Sequence, residues 1–165
     1  LRDRKRADVY DHWLRVAADD DFIGVQNYER VHYGPDGQLP PPEGAVLNEM
    51  GTAVDPGSLG GAVRYAHQIS GRPVLVTEHG IGTDDDTVRA GFIAPSLAGL
   101  LDAMADGVPV LGYCHWTLLD NFEWIFGYAK HFGLHTVDRE TFVRTPKPSA
   151  TAYGRIARAG AVPGD

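Results

Sequence analysis

The sequence is poor in cysteine: it has one, Cys114, in 165 residues. A single thiol excludes an internal disulfide and a zinc site built from several cysteines. It is compatible with a reducing compartment, so the cytoplasm is the favoured location. Basic residues are also in the minority, 15 against 22 acidic, and the net charge of −7 argues against a nucleic-acid partner. There is no apolar run of about 18 residues, so we expect no transmembrane helix and no membrane partner.

An initiator methionine is also missing, because the first residue is Leu1. We therefore expect the chain to be part of a longer protein. The composition, 43% hydrophobic and 22% charged, is otherwise that of an ordinary globular protein. We see no internal repeat and no linker-like tract, so the chain is treated as one domain.

Segments with helical periodicity alternate with short, continuously apolar segments along the chain. The pattern predicts helix, strand, helix, strand, helix, strand and helix at residues 3–18, 22–28, 56–70, 73–77, 87–105, 108–116 and 148–160. Such alternation is typical of βαβ units and a parallel sheet. Three parallel strands alone would leave unpaired edges and an apolar face open to water. The pattern therefore indicates either an unusually small open sheet or part of a larger barrel.

Some local predictions go with this order of elements. Val9, Trp13 and Val16 recur at helical spacing and, widened by Leu14, form the predicted apolar face of the first helix. Cys114 lies on an apolar strand and is predicted to be a buried, unreactive thiol. A short hairpin is predicted around residues 132–143.

The clearest chemical signal is the run Thr-Glu-His-Gly at residues 77–80, which follows an apolar strand. Barrel enzymes place catalytic groups at the C-terminal ends of their parallel strands. A carboxylate there, Glu78, costs stability unless it is paired or used. A structural interpretation stays open, because Gly80 and Gly82 also fit a simple turn with a capping acid.

The second signal is Trp-Thr-Leu-Leu-Asp-Asn-Phe-Glu-Trp at residues 116–124, again at the end of a predicted strand. Sugar sites need this mixture, because aromatic faces stack on the C–H face of a pyranose while carboxylates and amides bind its hydroxyl groups. Core packing is the commoner use of a tryptophan and would also explain Trp116 and Trp124. Their proximity to Glu123 favours a binding site.

Taken in order, these motifs resemble glycoside hydrolase family 1, the β-glucosidase family. That family carries a strand ending in Thr-Glu-Asn-Gly and, further on, Trp-Ser-Leu-Leu-Asp-Asn-Phe-Glu-Trp. Other segments that match its patterns are residues 21–28, 127–133 and 147–150. The resemblance implies an α/β fold, namely the C-terminal part (about strands 6–8 and their helices) of a (β/α)8 TIM barrel. Residues 1–165 would then be a fragment of a single catalytic barrel.

The resemblance also implies roles for individual residues in a retaining β-glycosidase. Glu78 would be the nucleophile that forms a covalent glycosyl-enzyme, and Tyr28 would hydrogen-bond Glu78 and orient it. Trp116 would be the platform under the sugar ring. Glu123 and Trp124 would bind sugar hydroxyl groups.

Other site residues depart from the family pattern or refine the substrate. Gln26 stands where the family has Asn near the anomeric centre, and His79 replaces the Asn that follows the nucleophile. Phe132 would line the entrance for the aglycone. Glu123 would repel a 6-phosphate group by on the order of 4 kcal/mol at an effective dielectric constant of 20. The implied ligand is therefore an unphosphorylated small-molecule β-glycoside or oligosaccharide.

The resemblance implies no metal and no organic cofactor. His131 and His135 lie four positions apart, which is one helical turn. Gly133 lies between them and no helix is predicted there, so we do not expect them to bind a metal.

One catalytic group is expected to be missing. Retaining glycosidases need a second carboxyl group about 5 to 5.5 Å from the nucleophile, as the acid/base. The family carries it in an Asn-Glu-Pro motif after its fourth strand, outside the part that this chain resembles. Glu49 is rejected as a substitute, because it lies in the long loop before the next helix. A missing N-terminal half of the barrel is the expected partner.

Alternatives to a hydrolase half therefore stay open. The chain could be a non-catalytic carbohydrate-binding or interaction fragment of the same fold, or one chain of a split enzyme. An unrelated open α/β domain with a chance motif is a further alternative.

Overall fold

The structure is a computed structural model that describes residues 1–163. Its helices and strands, in chain order, are α1 (Arg2–Arg6), α2 (His12–Val16), β1 (Ile23–Asn27), β2 (Tyr33–Gly34), β3 (Gly37–Gln38), α3 (Ser58–Ser70), β4 (Val74–His79), α4 (Asp86–Ala105), β5 (Val110–His115), β6 (His135–Val137), β7 (Arg144–Pro146) and α5 (Pro148–Ala159). The predicted order of long helices and strands is confirmed.

The central sheet consists of β1, β4 and β5, which run parallel with β4 in the middle. Helix α3 connects β1 to β4, and α4 connects β4 to β5. The predicted parallel sheet of βαβ units is therefore confirmed. Because the strands are parallel, their C-terminal ends meet at one edge of the sheet, which we call the rim.

One buried apolar cluster joins the sheet to α3, α4 and α5. Its members include side chains that are almost inaccessible to solvent: Leu59, Val63, Val74, Val76, Ile93 and Ala103. Burial against the helices thus accounts for part of the apolar character of these strands, whereas Leu111 in β5 is 60% exposed.

Helix α4 is long and apolar enough to span a membrane by length and composition alone. Part of its apolar surface belongs to the core, where Phe92, Ile93 and Leu97 are buried, and it packs against α3 and α5. The Asp85 side chain caps its N-terminus by accepting a hydrogen bond from the backbone N–H of Thr87 at 2.9 Å.

The N-terminal helical segment differs in detail from its prediction. It runs through α1, a π-helical segment (Ala7–Asp11) and α2. Most of the predicted apolar face is not buried, because Val9, Trp13 and Val16 are 48%, 66% and 58% exposed, whereas Leu14, which widens that face, packs against the core. The spacing argument assumed 3.6 residues per turn, whereas a π-helical segment rotates the residues that follow it around the axis.

Two further predictions are corrected near β5. Cys114 is exposed rather than buried. Successive side chains of a strand point to opposite faces of the sheet, and the preceding residue, Tyr113, is the one that packs against the core. The hairpin lies a few residues later than predicted: β6 and β7 pair antiparallel from His135 opposite Pro146 to Val137 opposite Arg144.

Candidate active site

Glu78 is the penultimate residue of β4, one position inside the strand rather than in the loop after it. A register shift in β1 places Gln26 opposite Glu78, and Gln26 Nε2 donates to Glu78 Oε1 at 2.9 Å. The hydroxyl group of Tyr28 donates to Glu78 Oε2 at 2.5 Å. Each carboxylate oxygen therefore has its own donor, and the two donors fix the orientation of the group.

Tyr28 is held in its protonated form. Burial raises the pKa of its phenol, and the hydrogen bond to Glu78 and the negative charge of Glu78 raise it further. The negative charge of Glu123 adds a smaller rise in this pKa. Tyr28 is thus a permanent hydrogen-bond donor to Glu78.

Trp116 continues the rim from β5. Its backbone N–H donates to the carbonyl oxygen of His79 at 2.9 Å, and its side chain is half-buried. Gly80 makes this approach possible, because a Cβ atom at that position would lie 1.8 Å from the carbonyl oxygen of Trp116. Gly80 is therefore needed for close packing and not only for a turn.

The loop after β5 is held by Asp120, a residue to which the sequence analysis gave no role of its own. This buried carboxylate accepts hydrogen bonds from the backbone N–H of Gly133 at 2.8 Å and from Lys147 Nζ at 2.9 Å. Gly133 approaches so closely that a Cβ atom would lie 2.2 Å from the backbone nitrogen of Asp120. The sequence signal for this role is an acid directly after two leucines, because an acid that is buried with apolar neighbours requires hydrogen-bond partners.

The two sugar-binding candidates at the end of that loop are accessible. Asn121 Nδ2 donates to Glu123 Oε2 at 2.9 Å and orients this half-buried carboxylate. Trp124 is 79% exposed, so core packing does not account for it. The structure thus leaves both side chains free to contact a ligand.

Phe132 is placed differently from its prediction. It is 6% exposed, and its ring meets the Tyr28 ring edge-on with 5.9 Å between centroids. Because so little of the ring is accessible, we assign Phe132 to the support of Tyr28 rather than to contact with an aglycone.

Behind Glu78 lies a buried polar cluster around His79, the residue that stands where the family pattern has Asn. The His79 ring stacks on Phe92 with 4.9 Å between centroids. The hydroxyl group of Tyr113 lies 2.8 Å from His79 Nδ1 and 3.1 Å from His115 Nδ1.

Burial lowers the pKa of His79 to about 3, with a smaller effect from His115. Burial and then the charge of Arg89 lower the pKa of His115 to about 4. Both rings are therefore neutral at neutral pH.

One group of side chains has the donors for a metal ion: Glu49, Asp84 and His131, whose ligand atoms lie within 4.8 Å of one another. Direct contacts explain this proximity, because His131 Nδ1 lies 3.1 Å from Glu49 Oε1 and 2.7 Å from Asp84 Oδ1. The Glu49 carboxylate is thus engaged with His131.

Comparison with known proteins places this arrangement in a family. The sequence profile described as Glycosyl hydrolase family 1 matches residues 46–161. The crystal structure of the β-glycosidase BGL167 superposes on 99% of this chain with a TM-score of 0.92 and 46% sequence identity, and the chain covers 39% of it. A β-glucosidase from Thermotoga maritima in complex with glucoimidazole has a TM-score of 0.77 and 29% identity, over 86% of this chain and 35% of that one.

One curated relative is named as a transferase rather than a hydrolase. Galactolipid galactosyltransferase SFR2, chloroplastic, of Arabidopsis thaliana is 36% identical over 148 residues, which is 86% of this chain and 23% of the relative. The chain therefore spans well under half the length of the proteins that it matches.

Proposed function

This chain belongs to glycosyl hydrolase family 1 and has the fold of the C-terminal part of that family's (β/α)8 barrel; on this premise we propose that it supplies the nucleophile and sugar-binding half of a retaining β-glycosidase. The observation that carries the proposal is the Glu78 carboxylate, at the end of a barrel strand, with one donor on each oxygen. Such a group is oriented for attack and is not neutralised by a cation.

The proposed reaction is a double displacement. One oxygen of Glu78 attacks the anomeric carbon while the glycosidic bond breaks, and the leaving group takes a proton from the acid/base. Water then attacks the anomeric carbon of the glycosyl-enzyme and gives its proton to the acid/base, and the bond to Glu78 breaks and restores the carboxylate. Gln26 and Tyr28 hold this carboxylate in place for the attack, because their hydrogen bonds exist before substrate binds.

Recognition of the sugar is assigned to the loop after β5. Trp116 would form the floor beneath the ring, and Glu123 and Trp124 would bind hydroxyl groups. The carboxylate of Glu123 disfavours a phosphate at the sugar's 6 position, because the two negative charges repel each other. The proposed substrates are therefore unphosphorylated β-glycosides.

The acid/base is proposed to come from the N-terminal half of the barrel. Within residues 1–163, β1 and β5 each have a free edge, and Trp13 and Leu111 are 66% and 60% exposed. Unpaired edges and apolar surface of this kind fit further strands and helices that would close the barrel. The partner half would thus complete the fold and the chemistry together.

A labelling experiment tests the proposal. The chain is incubated with a dinitrophenyl fluoroglucoside, a slow substrate whose leaving group departs without needing a proton. The chain is tested both alone and mixed with a separately expressed chain that spans the first five βα units of a family member. We expect the mixture to gain the mass of one fluoroglucosyl group on the peptide that contains Glu78. The matched variant Glu78→Gln is expected to stay unlabelled.

The same experiment separates the alternatives. Sugar binding by calorimetry without any labelling of the mixture would favour a non-catalytic carbohydrate-binding fragment. If labelling occurs, product analysis with a natural β-glucoside distinguishes water from a second sugar as the acceptor, the case that the galactosyltransferase relative represents.

A further inference from the structure

Glu49 links the segments that follow all three parallel strands. It lies in the first of these segments itself, between β3 and α3. Its backbone N–H donates to the carbonyl oxygen of Gly82, after β4, at 2.9 Å. Its carboxylate accepts from the backbone N–H of His131, after β5, at 2.7 Å. Its carbonyl oxygen accepts from Lys130 Nζ at 2.8 Å. One residue therefore ties three loops of the rim together.

The carboxylate of Glu49 is the buried part of this connection. Its side chain is 13% exposed, whereas that of Asp84, the other acid beside His131, is 81% exposed. Solvent can replace Asp84, but the backbone N–H of His131 would lose its acceptor if the Glu49 carboxylate were removed.

Phe132 follows His131 directly, so it is the side chain next to this contact. The Phe132 ring lies over Gly82, where a Cβ atom would come within 3.0 Å of it. Its other contact is the edge-on packing against the Tyr28 ring. Tyr28 in turn donates its hydroxyl proton to Glu78. A continuous series of contacts thus leads from Glu49 to the proposed nucleophile.

We propose that Glu49 is a positioning residue for the reaction: by holding the backbone of His131 it keeps Phe132 against Tyr28 and so fixes the hydroxyl group that orients Glu78. The effect on the reaction rests on the proposed function, whereas the effect on the packing of Tyr28 does not.

The packing is tested by NMR on the chain itself, with the two rings assigned through Phe132→Leu and Tyr28→Phe. We expect nuclear Overhauser contacts between these rings in the unmodified chain and in Glu49→Gln, whose amide oxygen can still accept from His131. Glu49→Ala is expected to lose them and to exchange the His131 amide proton about tenfold faster. Glu43→Ala, an exposed acid in the same segment, is the control and is expected to change neither.

The consequence for the reaction is tested by the rate of fluoroglucoside labelling in the complemented protein. Glu49→Ala is expected to lower the maximal labelling rate about tenfold or more at an unchanged half-saturating concentration, because orientation is lost and sugar binding is not. Glu49→Gln is expected to restore the rate. Phe132→Leu, which retains Glu49, should lower the rate to a similar extent and provides the test if Glu49→Ala does not fold.

Unchanged ring contacts in Glu49→Ala would overturn the proposal, as would an equal loss of rate in Glu49→Gln and Glu49→Ala. If the unmodified protein is never labelled but the ring contacts respond as expected, the proposed function fails and the positioning contact is supported.

Discussion

The nucleophile side of the rim, around Glu78, and the loop side, after β5, differ in how much of their side chains other residues of this chain cover. On the nucleophile side, both oxygens of Glu78 have donors and Tyr28 lies against the buried ring of Phe132. On the loop side, after β5, Trp124 and Ile125 are 79% and 92% exposed. The orientation of the proposed nucleophile is therefore built from contacts within this chain. The proposed sugar-binding loop takes its shape from its own backbone and from Asp120, and several of its apolar side chains remain exposed.

The largest expected effect is on the nucleophile side. Glu78→Ala in the complemented protein should lower turnover of a β-glucoside on the order of 10⁴-fold or more, because no other group can form the glycosyl-enzyme. Folding is expected to be intact by circular dichroism, and Glu43→Ala should retain its rate. Residual full activity would contradict the assignment of Glu78 and remove the distinction between the two sides.

A substitution where the two sides meet tests their close packing. Gly80→Ala should destabilise the chain by about 1–3 kcal/mol or more, because the added methyl group collides with the carbonyl oxygen of Trp116. Urea denaturation measures the change in the free energy of unfolding. The matched control is Gly91→Ala in α4, where an added Cβ meets nothing within 4 Å. That control should stabilise the chain by up to about 1 kcal/mol.

Acid should weaken the buried cluster behind Glu78. In the unfolded chain His79 and His115 bind a proton near their ordinary pKa of about 6.5, whereas the folded values are about 3 and about 4. Between these values the unfolded state binds more protons, so stability falls as the pH falls below about 6.5. Each histidine adds a slope of up to about 1.4 kcal/mol per pH unit.

Denaturation at several pH values between neutral and about 4.5 measures this slope. His79→Asn, which restores the residue of the family pattern, should remove the contribution of His79. An unchanged slope in this variant would show that His79 is not a buried neutral base.

The smallest expected effect is on the loop side. Glu123→Ser in the complemented protein should weaken unphosphorylated glycosides and shift the selectivity for 6-phosphoglycosides over them by about tenfold or more. The ratio of kcat/KM for the two substrates measures the shift. Unchanged selectivity would remove the electrostatic argument about the substrate and leave the loop side without an assigned specificity.

Much of the fold could be predicted because its signals are local. The strands are continuously apolar and the long helices are periodic, so their order and the parallel sheet followed from the sequence. The errors arose where local patterns depend on unseen neighbours. Cys114 is exposed because its neighbour Tyr113, on the opposite face of β5, is the residue that packs against the core. Trp13, which follows a π-helical segment, is 66% exposed among the described residues.

The site could be predicted only in its chemical groups. Glu78, Trp116 and Glu123 stand out because they belong to short motifs in which carboxylates and tryptophans follow an apolar strand. Phe132 was assigned to a ligand because an aromatic residue near a site gives no sign of whether it faces the ligand or another side chain. Glu49 was weighed only as an acid/base, because its partner His131 lies 82 positions away.

The sequence by itself determined the order of elements, the family and the reactive groups at the ends of the strands, because periodicity and short motifs are properties of neighbouring residues. The tertiary structure alone decided which donor meets each oxygen of Glu78, that Phe132 supports Tyr28, and that Glu49 joins three loops. Those contacts depend on how strands align and how loops approach one another. Residue types alone do not show which residues far apart in the chain will meet.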